Sequence, residues 1–503
     1  MLGVDIGTTS TKAVLYSEKG EVIRQEHIEY PLHTPDTMTA EQNPVGIFQS
    51  VLRAIANIMK NHCDKKLLFI SFSSAMHSVI AMDEKDEPLT ACITWADNRS
   101  EEWSRKLKEE WNGHEFYKRT GTPIHPMSPL SKIIWLVNEY PEIAEKTKKY
   151  IGIKEYVFKK FFGQYVVDYS IASSTGFLNL RNLDWDEEAL NIAGIKKEQL
   201  SELVPTTKFF TNCDPVLAET MGIDPQTPFI IGASDGVLSN LGVNAIGKGE
   251  VAVTIGTSGA IRTIVDEPVI DEQGRIFCYY LADNHWVIGG PVNNGGIVLQ
   301  WIRNELASIE INDQNQYNVI TEMAGRVNPG ADGVLFHPYL AGERAPWWNS
   351  EVRGSFFGLT LSHKREHMIR AALEGVIYNL YTVFLALNEC LDTPVKKICA
   401  TGGFAQSQLW RQILSDVFQA EVDVPENHES SCLGACILGL YATGKIESFK
   451  EASNMVGTTF SHSPNEEAMK AYRKLLPIFI SLSRKLTDEY KQIADYQRGI
   501  TRG

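Results

Sequence analysis

Two segments far apart in the chain share one pattern, an apolar strand that runs into a turn of Gly, Thr and Ser and leaves it as a second strand. The first is Leu2-Gly-Val-Asp-Ile-Gly-Thr-Thr-Ser-Thr-Lys-Ala-Val-Leu15, and the second is Val253-Thr-Ile-Gly-Thr-Ser-Gly259 with Ala260-Ile-Arg-Thr-Ile-Val265. Each pattern predicts a β-hairpin. Two such hairpins predict two similar domains that grip one polyphosphate. The matching positions are Val4, Ile6, Gly7 and Thr8 in the first copy and Val253, Ile255, Gly256 and Thr257 in the second.

The turn of the first hairpin suits a phosphate group. Hydroxyls and backbone N–H groups in a tight turn form a cradle for phosphate oxygens, and Lys12 adds a positive charge. Asp5, at the strand end, can hold a hydrated Mg²⁺, whereas the second copy has Thr254 at this position. The segment is neither a Walker loop nor a dinucleotide motif. The alternative is an ordinary β-hairpin with a Gly/Thr turn.

Size and composition restrict the class of protein. A chain of 503 residues suits two domains of about 250 residues. A formal net charge of −14 argues against nucleic acid as a partner, so an anionic nucleotide needs a locally positive site. The cysteines are scattered, the N-terminus lacks a signal-peptide pattern, and no apolar run reaches the ~18–20 residues of a membrane helix. We therefore predict a soluble, reduced, cytoplasmic protein without a membrane partner.

Polar and aromatic residues cluster where short apolar strands end, which is where α/β folds usually place ligands. Trp95 offers a flat apolar face, Asp97 can bind the hydroxyls of a polyol, and Arg99 can form a fork to a carboxylate. The alternative is that Trp95 belongs to the core and Asp97-Asn98 caps the helix predicted over Ser100–Trp111. Further candidates at neighbouring strand ends are Met76, His77 and Lys154.

Two more strand ends carry residues suited to chemistry. Asp235 follows the buried strand predicted at Phe229–Ile231 and precedes a predicted helix. It is equally well interpreted as a rigid, accessible catalytic carboxylate or as a helix cap. Gly402 and Gly403 follow another strand, and a flat ring such as adenine could lie against their backbone. The alternative there is a plain αL turn.

Two longer segments resemble the signatures of the FGGY family of carbohydrate kinases, and the resemblance spans nearly the whole chain. They are Met127-Ser-Pro-Leu-Ser-Lys-Ile-Ile-Trp-Leu-Val-Asn-Glu139 and Gly354-Ser-Phe-Phe-Gly-Leu-Thr-Leu-Ser-His-Lys-Arg-Glu-His-Met-Ile-Arg-Ala-Ala-Leu-Glu374. The resemblance implies an α/β fold of the actin/hexokinase/Hsp70 (ASKHA) superfamily, with two actin-like (ribonuclease H-like) domains around a deep interdomain cleft. It implies an N-terminal domain over 1–243, with the sugar site and first phosphate loop. A C-terminal domain over 244–503 carries the second phosphate loop and the adenosine site.

The resemblance also implies a role for each matched residue, with ATP and Mg²⁺ as cofactors. Asp235 lies where the family's G-x-x-D motif carries its catalytic base, and Asp5 matches the acid linked to the metal. The residues implied to bind ATP are Thr8, Thr9, Ser10, Lys12, Thr257, Gly296, Gln300, Gly402, Gly403 and Ser407. Those implied to bind the sugar are Met76, His77, Trp95, Asp97, Arg99, Lys154 and Asp235.

The identity of the sugar depends on short segments similar to those of family members that phosphorylate gluconate. They are Ala75-Met-His-Ser78, Trp95-Ala-Asp-Asn-Arg99 and Ile153-Lys-Glu-Tyr156. Gluconate carries a carboxylate, for which Arg99, Lys154 and His77 could be partners, although Arg99 could instead pair with Glu101 or Glu102. Xylulose or another polyol or ketose is the alternative sugar, and a noncatalytic ATP-dependent clamp is the alternative of another class. A homodimer is a further expectation, because many relatives are dimers.

Overall fold

The structure is a computed structural model and describes residues 1–60, 66–307, 316–425 and 429–501. Its strands are β1 (Leu2–Ile6), β2 (Ser10–Tyr16), β3 (Val22–Glu29), β4 (Glu41–Gln42), β5 (Ile70–Ser74), β6 (Ile80–Met82), β7 (Cys92–Ile93), β8 (Lys149–Ile151), β9 (Val166–Asp168), β10 (Leu178–Asn179), β11 (Asp184–Trp185), β12 (Glu202–Val204), β13 (Phe209–Phe210), β14 (Phe229–Ser234), β15 (Glu250–Ile255), β16 (Gly259–Val265), β17 (Phe277–Ala282), β18 (His285–Val292), β19 (Leu335–His337), β20 (Ser355–Phe357), β21 (Lys397–Thr401), β22 (Glu421–Pro425) and β23 (Thr458–His462).

The α-helices are α1 (Pro44–Met59), α2 (Glu101–Glu109), α3 (Gly113–Thr120), α4 (Pro129–Glu139), α5 (Pro141–Ala144), α6 (Ile153–Phe162), α7 (Tyr169–Ser173), α8 (Glu187–Ala193), α9 (Pro215–Met221), α10 (Asp235–Gly242), α11 (Gly296–Glu305), α12 (Gln316–Gly325), α13 (Arg365–Glu389), α14 (Gln408–Phe418), α15 (Ser430–Ala442), α16 (Glu466–Lys485) and α17 (Thr487–Thr501). Short 3-10 helices cover Lys197–Gln199, Ala331–Gly333, Gly403–Gln406 and Phe449–Met455.

Both predicted hairpins are present, and two other predicted elements differ in extent. The short apolar run Lys66–Phe72 predicts a buried strand. In the structure this strand, β5, begins later and ends later, because its pairing with β1 starts only at Ile70. The stretch Trp185–Leu200 is predicted to form a helix that is polar on one side. The structure shortens this helix to α8, which ends at Gly194 with a φ of 70°. The helix predicted over 312–327 is described as α12, and residues 312–315 lie outside the described residues.

A six-stranded sheet contains the first hairpin, in the order β13-β14-β5-β1-β2-β3. β1, β5 and β14 are parallel neighbours, and β2 and β13 pair antiparallel at the two sides. Every residue of β1, β5 and β14 is buried, as expected for parallel strands covered on both faces. The carboxyl ends of these three strands therefore share one edge of the sheet.

The second hairpin lies in a sheet with the same strand order. Apart from the edge strand β17, this sheet runs β18-β16-β15-β21-β22-β23. β15, β21 and β22 are parallel neighbours, and β23 pairs antiparallel with β22 as β13 does with β14. Each hairpin thus opens one copy of the same topology, which is the duplication that the two sequence copies predict.

The chain forms two compact units that are not contiguous halves. Unit 1 comprises Met1–Ile246, Ile264–Ile288 and Glu429–Val456, and unit 2 comprises Gly247–Thr263, Gly289–His428 and Gly457–Gly503. The domains predicted over 1–243 and 244–503, and the cleft predicted between them, remain predictions.

Helix α13 is long and apolar enough to cross a membrane by length and composition alone. However, 83% of the 18-residue stretch that gives this helix its apolar character is buried inside the structure. It also carries a buried ion pair, in which Arg370 Nε lies 2.6 Å from Glu374 Oε1. We interpret α13 as a core helix of unit 2.

Candidate active site

Two carboxylates stand at one edge of the six-stranded sheet. Asp5 is the penultimate residue of β1, and β14 runs directly into Asp235, the first residue of α10. Strand β5 lies between them, and the register pairs Ile6 with Ser74 and Ser74 with Ser234. Because neighbouring strands are about 4.8 Å apart, the two strand ends are separated by roughly 10 Å. Asp5 and Asp235 therefore belong to strand ends that lie on either side of β5 at one edge of the sheet.

The first Gly-Thr turn is fixed by hydrogen bonds that leave its tip exposed. The Gly7 N–H donates to the Ser10 carbonyl at 2.9 Å, and Thr9 at the tip is exposed. The Trp95 indole N–H donates to the Thr8 hydroxyl at 2.8 Å. A residue predicted to bind the sugar therefore contacts the predicted phosphate loop directly.

Asp5 is a buried carboxylate beside this turn. Its Oδ1 accepts a hydrogen bond from Ser73 Oγ at 2.6 Å. Burial raises the pKa of Asp5, although the Ser73 hydrogen bond and the Lys12 charge act in the opposite direction. Among the described residues, no three or more His, Cys, Asp or Glu side chains form a metal cluster. Mg²⁺ usually takes one or two carboxylates together with waters and substrate phosphates, so a single carboxylate beside a phosphate turn fits this ion.

Lys12 has a partner that no local sequence pattern predicts. Its Nζ donates to Glu429 Oε2 at 2.7 Å, across 417 residues of chain. Burial alone would lower the pKa of Lys12, but the hydrogen bond and charge of Glu429 outweigh burial and raise it. A phosphate that binds Lys12 must therefore compete with a carboxylate.

His77 stands in a rigid loop. It has a φ of 70°, its Nδ1 lies 2.8 Å from the Ser174 carbonyl, and its own carbonyl accepts from Lys132 Nζ at 2.9 Å. Lys132 also donates to the Met127 carbonyl at 2.5 Å, and burial lowers its pKa to about 7. Met76 packs against two hydrophobic clusters of unit 1. Sequence reasoning missed Lys132, whose only signal is a charge in an otherwise apolar stretch of helix.

Asp97 and Arg99 form a network with other residues of the chain. Asp97 is fully buried; its Oδ2 accepts from the Ala40 N–H at 2.9 Å, and its Oδ1 accepts from the Arg99 backbone N–H and from Arg99 Nε, each at 3.1 Å. Arg99 also pairs with Glu41 and lies over the Trp135 ring, 4.7 Å from its centroid. Both oxygens of Asp97 are thus occupied. Arg99 Nη1 makes no hydrogen bond to any residue of the described ranges, so it can still donate to a ligand.

Lys154 is buried next to the second carboxylate. Its Nζ pairs with Asp168 Oδ2 at 2.6 Å and donates to the Ala233 carbonyl at 3.1 Å, two residues before Asp235. Burial lowers the pKa of Lys154, against the charges of Asp168 and, more weakly, of Asp235. Lys154 and His77 also line a cavity of about 30 Å³, which has room for about one water and not for a sugar. Asp168 was missed because the Ser- and Thr-rich stretch Asp168–Phe177 is interpreted from sequence as a loop, whereas the structure makes Asp168 the N-cap of α7.

Asp235 is half-buried in the first turn of α10. Its Oδ1 accepts from the Gly236 N–H at 2.6 Å. Ser234 holds the N-cap position without a side-chain cap hydrogen bond, and the Asp235 carboxylate accepts from a backbone N–H of the first turn in its place. Backbone N–H groups at a helix N-terminus stabilise a carboxylate there.

In unit 2 the second turn repeats the geometry of the first. The Gly256 N–H donates to the Ser258 carbonyl at 2.9 Å, and Thr257 at the tip is exposed. The Gly296 N–H donates to the Gly256 carbonyl at 2.6 Å, which places the start of α11 against the turn. Gln300 is exposed one turn further along α11.

The diglycine after β21 lies beside the same turn. Gly402 has a φ of 105° and a ψ of 176°, so it is not an αL residue, and a Cβ there would be 2.3 Å from the Ile255 carbonyl oxygen. A Cβ on Gly403 would meet nothing within 4 Å, so its face is open, as the adenine hypothesis requires. Ser407 caps α14. The structure thus brings Thr257, Gly296 and Gly402 together within unit 2.

The chain matches a known protein family along most of its length. Residues 1–242 match the FGGY family of carbohydrate kinases, N-terminal domain, and residues 251–443 match its C-terminal domain. The chain belongs to the FGGY family of carbohydrate kinases.

Individual relatives and structures are also similar. The chain is 70% identical over 505 residues to a gluconokinase of Bacillus subtilis (strain 168), covering 99% of this chain and 98% of the relative. It is 71% identical to a gluconokinase of Bacillus licheniformis over 100% and 99% of the two chains. Identity to a xylulose kinase of Bacillus subtilis (strain 168) is 27%, over 95% of each chain.

Two solved Lactobacillus acidophilus structures, described as a gluconate kinase and a ligand-bound xylulose kinase, match with the same values. Each has a TM-score of 0.94 and 39% identity, covering 98% of this chain and 99% of the other. The structural match therefore supports the two-domain kinase fold without separating the two sugars.

Proposed function

We propose that this protein transfers the γ-phosphoryl group of ATP to D-gluconate and so forms 6-phosphogluconate. The observation that carries the proposal is 70% identity to a gluconokinase along the full chain, against 27% to a xylulose kinase. Xylulose, or another polyol or ketose, is the second candidate, supported by the equal structural match to a xylulose kinase.

Asp235 is the proposed general base. It accepts the proton of the substrate hydroxyl while that oxygen bonds to the γ-phosphorus and the bond from phosphorus to the β,γ-bridging oxygen breaks. The hydrogen bond from Gly236 and the start of α10 fix this carboxylate, so little reorganisation is needed.

The nucleotide site is proposed to use both Gly-Thr turns, and the remainder of phosphoryl transfer is positioning and charge neutralisation. Thr8, Thr9, Ser10 and Lys12 supply hydroxyls, N–H groups and a cation from the first turn, and Thr257 lies at the exposed tip of the second. The residues proposed around the nucleoside and its approach are Gly296, Gln300, Gly402, Gly403 and Ser407.

Mg²⁺ is the proposed metal, and Asp5 is its proposed carboxylate ligand. Bound there, the ion would neutralise charge on the phosphate oxygens.

The sugar site is proposed around Met76, His77, Trp95, Arg99 and Lys154, with Asp97 acting through Arg99. Arg99 is the better candidate to meet the carboxylate of gluconate, because its side chain is 23% exposed and that of Lys154 is 3% exposed. Two acids already balance the Arg99 charge, so its contribution is directional hydrogen bonding through Nη1 rather than an uncompensated charge.

A coupled ADP-release assay tests the proposal, with ATP, Mg²⁺ and separate additions of D-gluconate, D-xylulose, glycerol, L-ribulose and L-fuculose. We expect a strong preference for D-gluconate. Preference for D-xylulose would overturn the sugar assignment, and no stimulation by any sugar would favour a noncatalytic ATP-dependent clamp. Asp235→Asn should retain binding of ATP and gluconate while kcat falls by ~10²–10⁴-fold.

We further propose a cytoplasmic homodimer whose partners are these small molecules, without nucleic acid or membrane. The buried thiols Cys432 and Cys436 on α15 suit a reducing compartment. Burial raises the pKa of both, which keeps them protonated.

A further inference from the structure

Glu343 is a fully buried carboxylate of unit 2 that accepts four hydrogen bonds. Its Oε1 accepts from the Asn293 N–H at 2.5 Å and from the Arg344 N–H at 2.8 Å. Its Oε2 accepts from Asn294 Nδ2 at 2.9 Å and from Asn379 Nδ2 at 2.7 Å. Three separate segments therefore converge on one side chain: the loop before α11, the loop after β19, and α13.

The orientation of the Asn294 amide is fixed by its other partners. Asn294 Nδ2 also donates to the Gly342 carbonyl at 2.7 Å, and its Oδ1 accepts from the Ala341 N–H at 3.2 Å. Turning the amide over would break both of these bonds. Asn294 must therefore point its Nδ2 donor at Glu343. A carboxylate has only acceptor atoms, so it can accept this hydrogen bond and the other three at the same time.

The loop that Glu343 binds lies directly against the second Gly-Thr turn. The Gly295 N–H donates to the Thr257 carbonyl at 3.2 Å, and the Ile297 N–H donates to the same carbonyl at 3.1 Å. A Cβ on Gly295 would be 2.5 Å from the Ser258 carbonyl oxygen. The backbone of the loop packs directly on the backbone of the turn, so a shift of the loop moves the turn.

We propose that Glu343 is a positioning residue for the nucleotide, which fixes residues 293–296 and through them the turn Gly256–Ser258. It does not touch ATP and acts only through this loop. The inference rests on the proposed binding of ATP phosphates to the Thr257 turn.

The test compares Glu343→Gln with a matched control, Glu374→Gln. Glu374 is also fully buried in unit 2, and its Oε1 accepts from Gly330, Arg370 and Tyr472, none of which belongs to the turn or its loop. In Glu343→Gln the new amide NH2 faces the fixed Asn294 donor, so the Asn294 and Asn379 amides both lose the Oε2 acceptor that they share in the wild type.

We expect Glu343→Gln to raise both the KM and the directly measured Kd for MgATP by about 10-fold, with the gluconate KM within about twofold of wild type. Hydrogen exchange in the folded protein should increase at residues 256–258. Glu374→Gln should lower the melting temperature and leave the ATP constants and this exchange unchanged.

The inference is overturned if Glu343→Gln lowers only the melting temperature, or if both variants weaken ATP equally. Asn294→Ala removes one of the two hydrogen bonds from this loop to Glu343 and leaves Glu343 three donors, so it weakens the hold on the loop and gives the same test if Glu343→Gln fails to fold. Wild-type protein that binds no MgATP, or phosphorylates no gluconate, would refute the proposed function instead.

Discussion

Lys132 is the buried lysine whose amine hydrogen-bonds the carbonyls of His77 and Met127. Its pKa falls to about 7 because burial penalises the charged form, whereas an unfolded lysine has a pKa near 10.4. A neutral amine still has two N–H donors for the two carbonyls. Between pH 7 and 10 the unfolded chain therefore binds a proton that the folded chain does not. Folding stability gained through Lys132 rises with pH in this window.

Lys132→Met tests this titration. The free energy of unfolding of wild type, minus that of the variant, should increase from pH 7 to pH 9.5 by up to ~1.4 kcal/mol per pH unit. Urea denaturation at several pH values measures it, and other titrating groups cancel in the difference. A difference that stays constant across this range would show that Lys132 keeps its proton in the folded protein.

The sequence predicts residue types at strand ends better than it predicts their partners. Asp5, Asp235 and the tips of both turns are local features, because each stands at or next to the end of a strand. The partner of Lys12 is 417 residues away, and that of Arg99 includes Glu41, 58 residues away. Such pairs depend on how sheets and loops pack, which hydrophobic periodicity does not encode.

Helices α10 and α15 cross with almost no space between their backbones. A Cβ on Gly242 of α10 would be 1.8 Å from the Ser430 carbonyl oxygen, and one on Gly434 of α15 would be 2.0 Å from that of Leu238. Asp235 begins α10, and α15 begins directly after Glu429. The crossing therefore sets the position of the proposed base relative to the partner of Lys12.

Gly434→Ala should push helices α10 and α15 apart where they cross. We expect a loss of at least ~1–3 kcal/mol in the free energy of unfolding, since the new methyl group meets backbone that cannot rotate away. We also expect a lower kcat in the fraction that folds. Gly499→Ala is the control, because a Cβ on this exposed residue of α17 meets nothing within 4 Å. The control should be neutral or stabilise by up to ~1 kcal/mol. Equal effects of both changes would contradict the packing argument.

Among the secondary-structure elements, the two hairpins are predicted well, because the alternation of apolar and polar residues and the turn residues are local features of the sequence. The length of β5 is not predicted from the sequence, since its start at Ile70 is set by the pairing of Ile70 with Leu2 of β1. The close approach of Gly242 and Gly434 also has no sequence signal, because each glycine stands in an ordinary helical stretch.

Over the whole molecule, unit 1 is built from three segments that share one core. One hydrophobic cluster joins Val14 and Tyr16 to Tyr279 and Leu281 and to residues of α15. A Cβ on Gly3 would be 2.4 Å from the Cys432 carbonyl oxygen, so α15 packs directly on β1. The predicted domain boundary at 243/244 would leave β17 and α15 outside an N-terminal fragment.

We therefore expect a fragment of residues 1–243 not to form a native fold. It should bind a hydrophobic dye and show no cooperative thermal transition, whereas the full chain under the same conditions should unfold cooperatively. Circular dichroism and dye fluorescence measure this. A fragment with a sharp transition and little dye binding would contradict the shared core.

The same arrangement has a consequence for synthesis on the ribosome. Gly3 leaves the exit tunnel early, and the backbone that covers it, at Cys432, follows 429 residues later. At ~5–20 residues per second the nascent chain waits roughly 20–90 s for this contact. Throughout that interval the face of the first sheet that α15 will cover is open to water, so the part of the enzyme made first is among the last to be completed.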